Sequence, residues 1–200
     1  MAARAPSAPL ITFDEFIDQY DEIHAEWVNG EVVVLGGGEE LQSRIIVFLA
    51  SLLQYWADLD RVGDAYVPPY FVQLDEETIR QPDLFFMTRE TAGRYADGKL
   101  ALGAPDLVVE VIINDSRSRD LGQRYRGYER AGVAEYWVID PARELVDAFR
   151  LSDGAFVPVD LGDPPVLRTQ ALPGLEIPAE WIWRRPRLPD VFARWGAEKE

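Results

Sequence analysis

The chain has 200 residues, of which 48% are hydrophobic, and this size and apolar content predict one globular domain with a full core. It contains no cysteine, which excludes disulfides, thiolate metal sites and a thiol nucleophile. The formal net charge of −15 argues against a general nucleic-acid coat but still allows a local basic surface. Neither a signal peptide nor an apolar run of about 20 residues is evident, so we expect a cytoplasmic protein without a membrane span.

The N-terminal part of the chain predicts a helix followed by a β-hairpin. Thr12 and Glu15 make the capping-box pattern of a helix start. Further on, Asn29-Gly30 separates two short apolar segments, and this dipeptide is typical of a type I′ turn between antiparallel strands. The first strand of this hairpin carries one acid, Glu26.

A run of three glycines, Gly36-Gly37-Gly38, connects the hairpin to a helix predicted over residues 40–58. A glycine loop before a helix is able to bind phosphate. Here Glu39 and Glu40 stand at the helix start and would repel an anion, so we interpret the glycines as a flexible connection.

The middle of the chain predicts strands on both sides of Pro68-Pro69, at residues 63–66 and 70–74. A longer buried strand is predicted over residues 79–87, with the sequence IRQPDLFFM. One carboxylate, Asp83, lies inside this apolar run.

A strand–helix–strand unit follows, with strands at residues 107–113 and 135–139 and a helix at about 117–131 that ends at Gly132. This order predicts a parallel pair of strands joined by a right-handed crossover. Glu110 interrupts the first, apolar strand. A lone buried carboxylate costs on the order of several kcal/mol unless a cation or a donor meets it, so Glu110 marks a candidate site.

The C-terminal part predicts a strand at residues 145–151 that returns antiparallel, and another hairpin at Asp153-Gly154. Beyond it, prolines are frequent and periodicity is poor, apart from a short helix at about 190–195. We therefore expect a single domain over the whole chain, with a core of about 12–160 and an irregular arm of about 160–200.

The residue types present exclude several enzyme classes. A Ser-His-acid triad would need His24, the only histidine, as its base, and no G-x-S-x-G motif accompanies it. We interpret His24 as a partly exposed strand residue. A histidine-rich zinc site is excluded, and no phosphate-binding glycine motif occurs. Carboxylate chemistry remains, through Asp83, Glu110 and Glu26. Carboxylates that converge from neighbouring strands suit Mg²⁺ or Mn²⁺, which activates water and stabilises phosphoryl charge. The alternative is that each acid pairs with an arginine.

Several motifs place these acids in a known pattern. They are T-x-x-E-F from Thr12, E-x-x-x-G-E from Glu26, Q-P-D ending at Asp83, A-P-D-L-V-V-E-V ending at Val111, R-D-L-G ending at Gly122, Y-x-x-A-G-V-x-E-Y-W-V-I-D-P ending at Pro141, and L-P-G-L ending at Leu175. On these motifs the chain resembles the Uma-type putative restriction endonucleases, a bacterial family of unknown biological role with the PD-(D/E)xK nuclease fold. The resemblance implies a restriction-endonuclease-like α/β fold, with a central mixed β-sheet flanked by helices and an N-terminal β-hairpin.

The resemblance also implies roles for individual residues. Asp83 and Glu110 would be the metal-binding acids and Glu26 an additional acid near the metal. The carbonyl of Val111 or Ile112 would complete the coordination of Mg²⁺ or Mn²⁺. The partner implied is DNA.

The chain departs from the family pattern in four features. The signature lysine would stand at Ile112, and the family's alternative position on the following helix is Arg124 here. The turn at 113–115 lacks the usual serine-proline-serine, and Gln42 replaces a histidine. Arginine stays protonated near neutral pH, so Arg124 can hold a phosphate but cannot act as a general base. A further interpretation pairs Arg124 with Asp120 one helical turn earlier.

Two arginine-rich segments favour a phosphate partner. They comprise Arg117, Arg119, Arg124, Arg126 and Arg130 on the predicted helix, and Arg184, Arg185 and Arg187 near the C-terminus. An ordinary solvated arginine face is the alternative. The sequence thus predicts a Mg²⁺-dependent DNA endonuclease whose activity the Arg124 substitution places in doubt. The competing hypotheses are an inactive nuclease-fold module that binds nucleic acid or protein, and a structural subunit of a homodimer.

Overall fold

In the computed structural model of the protein, the described residues are 10–20, 23–35, 40–93, 95–96, 100–112 and 115–199. For residues 95–96, 115–121 and 198–199 the backbone alone is described. The predicted glycine connection at 36–38 and the first two residues of the turn at 113–115 lie outside this part of the chain.

Helices and short β-strands alternate through the chain. The helices are α1 (Phe13–Tyr20), α2 (Glu40–Asp60), α3 (Arg89–Ala92), α4 (Asp115–Ala131), α5 (Glu180–Trp183) and α6 (Leu188–Lys199). The strands are β1 (Ala25–Val28), β2 (Glu31–Val34), β3 (Gly63–Tyr66), β4 (Phe71–Asp75), β5 (Thr78–Arg80), β6 (Leu84–Thr88), β7 (Tyr95–Ala96), β8 (Leu100–Leu102), β9 (Leu107–Val111), β10 (Glu135–Asp140), β11 (Leu145–Ser152), β12 (Ala155–Pro158), β13 (Val166–Leu167) and β14 (Ile177–Pro178).

The strands form two six-stranded sheets and one small ribbon. The hairpin sheet has the order β2-β1-β5-β4-β8-β7, the central sheet has the order β12-β11-β10-β9-β6-β3, and β13 pairs with β14. Each large sheet is mixed, because β4 and β8 are parallel in the first and β9 and β10 in the second. The predicted α/β class, with mixed sheets flanked by helices, is confirmed, and the strands divide between two sheets.

The N-terminal elements follow their local sequence signals. Thr12 and Glu15 exchange capping bonds, from the Thr12 N–H to Glu15 Oε2 at 2.8 Å and from the Glu15 N–H to Thr12 Oγ1 at 3.3 Å. Asn29 and Gly30 both have positive φ, 51° and 82°, as a type I′ turn requires. The predicted N-terminal hairpin is confirmed as β1 and β2.

The strand–helix–strand unit is also confirmed as a parallel pair. Leu107 of β9 lies opposite Glu135 of β10, and α4 connects the two strands. Gly132 takes a φ of 84° directly after α4, a conformation that glycine adopts without steric cost.

The single strand predicted over residues 79–87 is wrong. The chain leaves β5 in the hairpin sheet at Arg80 and enters β6 in the central sheet at Leu84. Pro82 lies in the connection, and its missing N–H prevents a continuous ladder of hydrogen bonds. Asp83 therefore lies in the crossing between the two sheets, immediately before β6, and not inside a strand.

Alternation along β9 places its side chains in two different hydrophobic clusters. Val109 and Val111 pack with α2 on one face of the central sheet, whereas Val108 packs with Tyr128 of α4 on the other face. Glu110 belongs by alternation to the face covered by α4, where Tyr128 contacts it.

The segment after residue 160 has more regular structure than its poor periodicity predicted. The β13–β14 ribbon, α5 and α6 all form there, and α6 is longer than the short helix expected at 190–195. The ring of Phe192 stacks on Tyr55 of α2 with centroids 4.1 Å apart, and Trp195 is buried against Trp56. Two-residue strands are too short to produce a detectable period, which explains the difference.

No helix in the part of the chain that the structure describes has the length and apolar character needed to cross a membrane.

Candidate active site

Asp83 is held in the crossing between the sheets by donors from two other elements. Its Oδ2 accepts a hydrogen bond from the backbone N–H of Val111 at 2.8 Å, and its Oδ1 accepts one from Nε2 of Gln42 at 2.7 Å. The side chain is buried, with 3% of its surface exposed. The donors orient this carboxylate at the end of β9, beside Glu110.

The strand register makes Asp83 and Glu110 neighbours. Leu84, the residue after Asp83, lies opposite Val109 of β9 in an antiparallel pair, and the backbone N–H of Val111 binds the Asp83 carboxylate. The negative charge of Asp83 also raises the pKa of Glu110, as a nearby carboxylate does. The two acids that the sequence singled out are thus brought together.

Glu110 is buried, and its Oε1 atom accepts two hydrogen bonds from α4. Nη1 of Arg124 lies at 2.5 Å and the hydroxyl of Tyr128 at 2.8 Å. Burial raises the pKa of Glu110 to about 7, against the lowering effects of the Arg124 charge and the Tyr128 hydrogen bond. The negative charges of Asp83 and Glu26 raise this pKa further. Glu110 therefore takes up a proton far more readily than an exposed glutamate.

Arg124 bridges the acids of the two sheets. Its Nη2 lies 3.1 Å from Oε1 of Glu26, while Nη1 contacts Glu110. Burial alone would lower the pKa of Arg124, but Glu110 and Glu26 hold it well above its ordinary value, so the guanidinium keeps its charge. The side chain of Asp120, the other expected partner, lies outside the described residues.

Glu26 has a second cationic partner on its own sheet. Nη1 of Arg80 in β5 lies 2.6 Å from Oε2 of Glu26, and the backbone N–H of Gln81 donates to Oε1 at 3.3 Å. A continuous chain of charge pairs therefore runs from Arg80 through Glu26 and Arg124 to Glu110. It joins the hairpin sheet to the central sheet beneath α4.

Sequence reasoning missed three residues of this site: Arg80, Tyr128 and Gln81. Arg80 is a charged residue in an apolar strand, the same signal that identified Glu110. Tyr128 follows Arg124 by four positions and so lies on the same helix face. Gln81 begins the Q-P-D motif, but nothing in the sequence indicated its burial; its side-chain amide is fully buried and, among the described residues, has no hydrogen-bond partner on either polar atom.

The ligand atoms available at this site are oxygens, the type that a hard divalent cation prefers. Asp83 and Glu110 supply carboxylate oxygens, which Mg²⁺ and Mn²⁺ prefer. Within the described residues, no three His, Cys, Asp or Glu side chains are grouped so that they could hold a metal together. Any metal bound there would take its ligands from Asp83, Glu110 and backbone or solvent oxygens.

Arg124 of the first arginine-rich segment is buried, whereas most other described arginine side chains of the two segments lie at the surface. Arg126 and Arg130 of α4 are exposed, as are Arg184 and Arg187, whereas Nη1 of Arg185 donates to the Arg44 carbonyl at 3.3 Å. The side chains of Arg117 and Arg119 lie outside the described residues. Binding of DNA by these segments stays a prediction.

The fold is that of a nuclease-like α/β protein. The crystal structure of a putative nuclease belonging to DUF820 from Anabaena variabilis ATCC 29413 is similar, with a TM-score of 0.74 and 18% sequence identity, over 87% of this chain and 98% of that chain. The chain itself belongs to the Uma2 family, described as putative restriction endonuclease, whose model matches residues 13–180. Among curated proteins, none matches this chain.

Proposed function

We propose that the protein is a metal-dependent endonuclease that hydrolyses phosphodiester bonds in DNA. The observation that carries this proposal is that the buried carboxylate of Asp83 lies at the end of β9, bound by the Val111 N–H, close enough to Glu110 for its charge to raise the pKa of Glu110. Two buried acids so placed form an oxygen-donor pair suited to Mg²⁺ or Mn²⁺. Membership of the Uma2 family supports the same class of reaction.

In this proposal each residue of the site has a distinct role. Asp83 and Glu110 would hold the ion, with the carbonyl of Val111 or Ile112 as a further ligand. A bound divalent ion would activate water and stabilise the charge on the phosphoryl group. Gln42 orients Asp83, while Glu26 lies near the ion and positions Arg124.

Arg124 would bind a phosphate oxygen of the substrate. Its planar guanidinium offers paired N–H donors that match phosphate geometry. Because this side chain stays protonated, it cannot remove a proton from the attacking water. We therefore expect slow turnover compared with a lysine-containing relative.

A second candidate is a nuclease-fold module without catalytic activity that binds nucleic acid or protein. The observation that favours it is that Arg124 already bridges Glu110 and Glu26, as structural ion pairs do. A purely structural subunit of a homodimer would need arginine partners for all three acids. Glu26 and Glu110 meet that condition. A homodimer and a cytoplasmic location stay predictions.

Cleavage of supercoiled plasmid DNA tests the proposal. The parent protein, Asp83→Asn and Glu110→Gln are compared in Mg²⁺, in Mn²⁺ and in EDTA. Glu176→Gln is the matched control, because Glu176 also pairs with an arginine, Arg168 at 2.9 Å, but on an exposed surface.

We expect metal-dependent nicking by the parent and the control, and a loss of about a hundredfold or more in both site variants, typical of removing a group that stabilises the transition state. A parent protein that nicks no DNA in either metal, yet still shifts DNA in a gel, would favour the non-catalytic module. Nicking that persists in both site variants would overturn the assignment of the metal site.

A further inference from the structure

β2 is an outer strand of the hairpin sheet and combines an open edge with exposed apolar side chains. Within the part of the chain that the structure describes, it pairs with β1 and with no other strand. Its sequence is E-V-V-V, and Val33 and Val34 expose 45% and 64% of their surface. The free edge of such a strand offers backbone N–H and C=O groups that a further strand can pair with.

Exposed apolar side chains also lie near both ends of β2. Leu10 is exposed beside Gly30, in the turn that precedes the strand. Ile23 is exposed next to His24, whose carbonyl accepts a hydrogen bond from the N–H of Leu35 at 2.7 Å. The apolar surface around this edge is therefore larger than the strand itself.

The other edge strands of the two large sheets carry features that discourage pairing. The central sheet ends in β3 on one side and in β12 on the other. β3 carries the exposed acid Asp64, and β12 ends in Pro158, which has no N–H to donate. β7, at the far edge of the hairpin sheet, has only two residues. β2 is as long as β3 and β12, yet after Glu31 it contains neither a charge nor a proline.

We infer that the free edge of β2 pairs with the same edge of a second copy of the chain, as two antiparallel strands about a two-fold axis that passes beside Val33. The two hairpin sheets then form one continuous sheet. This inference goes beyond the proposed function and does not rest on it.

The first argument is that the sequence of β2 fits its own copy. With the axis beside Val33, this residue faces Val33 of the second copy, and Val32 faces Val34. Branched side chains of this kind pack well on the surface of a sheet. Glu31 faces Leu35, so the two Glu31 carboxylates stay apart. A two-fold contact uses the same surface on both copies, and β2 therefore needs no second type of surface as its partner.

The second argument is charge. Each chain carries a net charge of −15, so two copies repel each other at long range. Residues 32–35 contain no charged side chain, and contact through them brings no further carboxylates face to face. Salt screens the long-range repulsion and should therefore strengthen this pairing. A basic partner held by the acidic surface of the chain would instead bind more weakly as salt is added.

The paired edge is directly connected to the candidate site. Val33 lies opposite Glu26 of β1, and residues directly opposite one another share a face of the sheet. Glu26 is thus one strand away from the inferred interface. Assembly through β2 places the Glu26 residues of both copies on the same joined sheet.

Measurements of molar mass over a range of protein concentrations test the inference. Sedimentation velocity is recorded for the parent, for Val33→Glu, for Val33→Lys and for an equal mixture of these two variants. Val157→Glu is the matched control, because Val157 is 49% exposed and lies on the other valine-bearing edge strand, β12. Thermal melts establish that each variant is folded.

We expect a dimer for the parent and for the control, and a dimer dissociation constant raised about tenfold or more in each Val33 variant, since like charges then face each other. The mixture should restore the dimer, because glutamate faces lysine in the mixed pair. Dimerisation of the parent should persist or tighten as sodium chloride is raised.

A neutral variant tests the register without adding charge. The chain has no cysteine, so Val33→Cys introduces a single thiol, and mild oxidation should link two copies through it. Val157→Cys should form no such link under the same conditions.

A monomeric parent overturns the inference and leaves the edge open to a strand of another protein. A dimer that Val33→Glu does not weaken, or that dissociates in salt, overturns β2 as the interface. Failure of the mixture to restore the dimer, together with no disulfide in Val33→Cys, overturns the antiparallel pairing at Val33. None of these outcomes bears on plasmid cleavage, which tests the proposed function separately.

Discussion

The side-chain amide of Gln42 donates a hydrogen bond to Oδ1 of Asp83 at 2.7 Å, and both residues are buried. Gln42 lies in the first turn of α2, whereas Asp83 lies in the crossing between the two sheets. This bond fixes the orientation of the first acid of the proposed metal pair from a helix that otherwise packs in the hydrophobic core.

The first prediction concerns this bond. Gln42→Ala should lower the free energy of unfolding by about 1–3 kcal/mol, because it removes a donor from a buried carboxylate. Gln42→His should cost less, since the imidazole can still donate. Urea denaturation measures both, and Gln123→Ala, at an exposed position of α4, should stay within about 0.5 kcal/mol of the parent. A Gln42→Ala protein as stable as this control would contradict the prediction.

The second prediction is a pH dependence that belongs to Glu110. Its folded-state pKa, raised by burial to about 7, lies above the ordinary value of 4.5 for glutamate, so the folded protein binds a proton that the unfolded chain releases. Stability should therefore fall as pH rises from about 4.5 to 7, by a few kcal/mol from this group, and level off above. The difference in unfolding free energy between parent and Glu110→Gln, measured in EDTA, isolates this contribution.

The same pH dependence of unfolding free energy is measured for Tyr128→Phe. The Tyr128 hydroxyl bond lowers the pKa of Glu110, so its removal should move the pH window upward. Tyr125→Phe is the control, because Tyr125 bonds the Phe156 carbonyl at 3.2 Å. If the difference in unfolding free energy between the parent and Glu110→Gln stays constant between pH 5 and 8, this result contradicts the raised pKa of Glu110.

The third prediction concerns the side chain that replaces the signature lysine. Arg124→Lys should increase plasmid cleavage in Mg²⁺ or Mn²⁺, because lysine can lose its proton and arginine cannot. Arg124→Ala should lower any residual cleavage, because it leaves no cation to bind phosphate. Initial rates of nicking compare the three proteins. Equal activity of Arg124→Lys and Arg124→Ala would show that this position does not perform the role of the lysine.

The fourth prediction concerns the packing of β3 against β6, the strand that follows Asp83. A Cβ atom on Gly63 would lie 2.7 Å from Cα of Thr88 and closer still to the carbonyl oxygen of Met87. Because these neighbours are backbone atoms, Gly63→Ala should cost about 1–3 kcal/mol or more. Gly93→Ala, with nothing within 4 Å of its new Cβ, should cost about 0.5 kcal/mol or less. Thermal melts of both variants check this, and similar melting temperatures would refute it.

Local signals in the sequence were sufficient for elements that depend on neighbouring residues. The capping box of Thr12 and Glu15, the positive φ angles at Asn29-Gly30 and the stop at Gly132 all follow from the chemistry of a few adjacent positions. The parallel pair around α4 followed from the order of elements, because a helix between two strands brings them together in the same direction. The acids Asp83 and Glu110 were found because charge in an apolar run is costly to bury.

The tertiary structure alone decided how those acids are satisfied. Pro82 breaks the run 79–87, so Arg80 and Asp83 end in different surroundings, the first beside Glu26 and the second beside Gln42. Arg124 reaches Glu26 and Glu110 because α4 packs across the junction of two sheets. Partners so distant along the chain leave no periodic signal, since pairing depends on the geometry of packed elements and not on spacing in sequence.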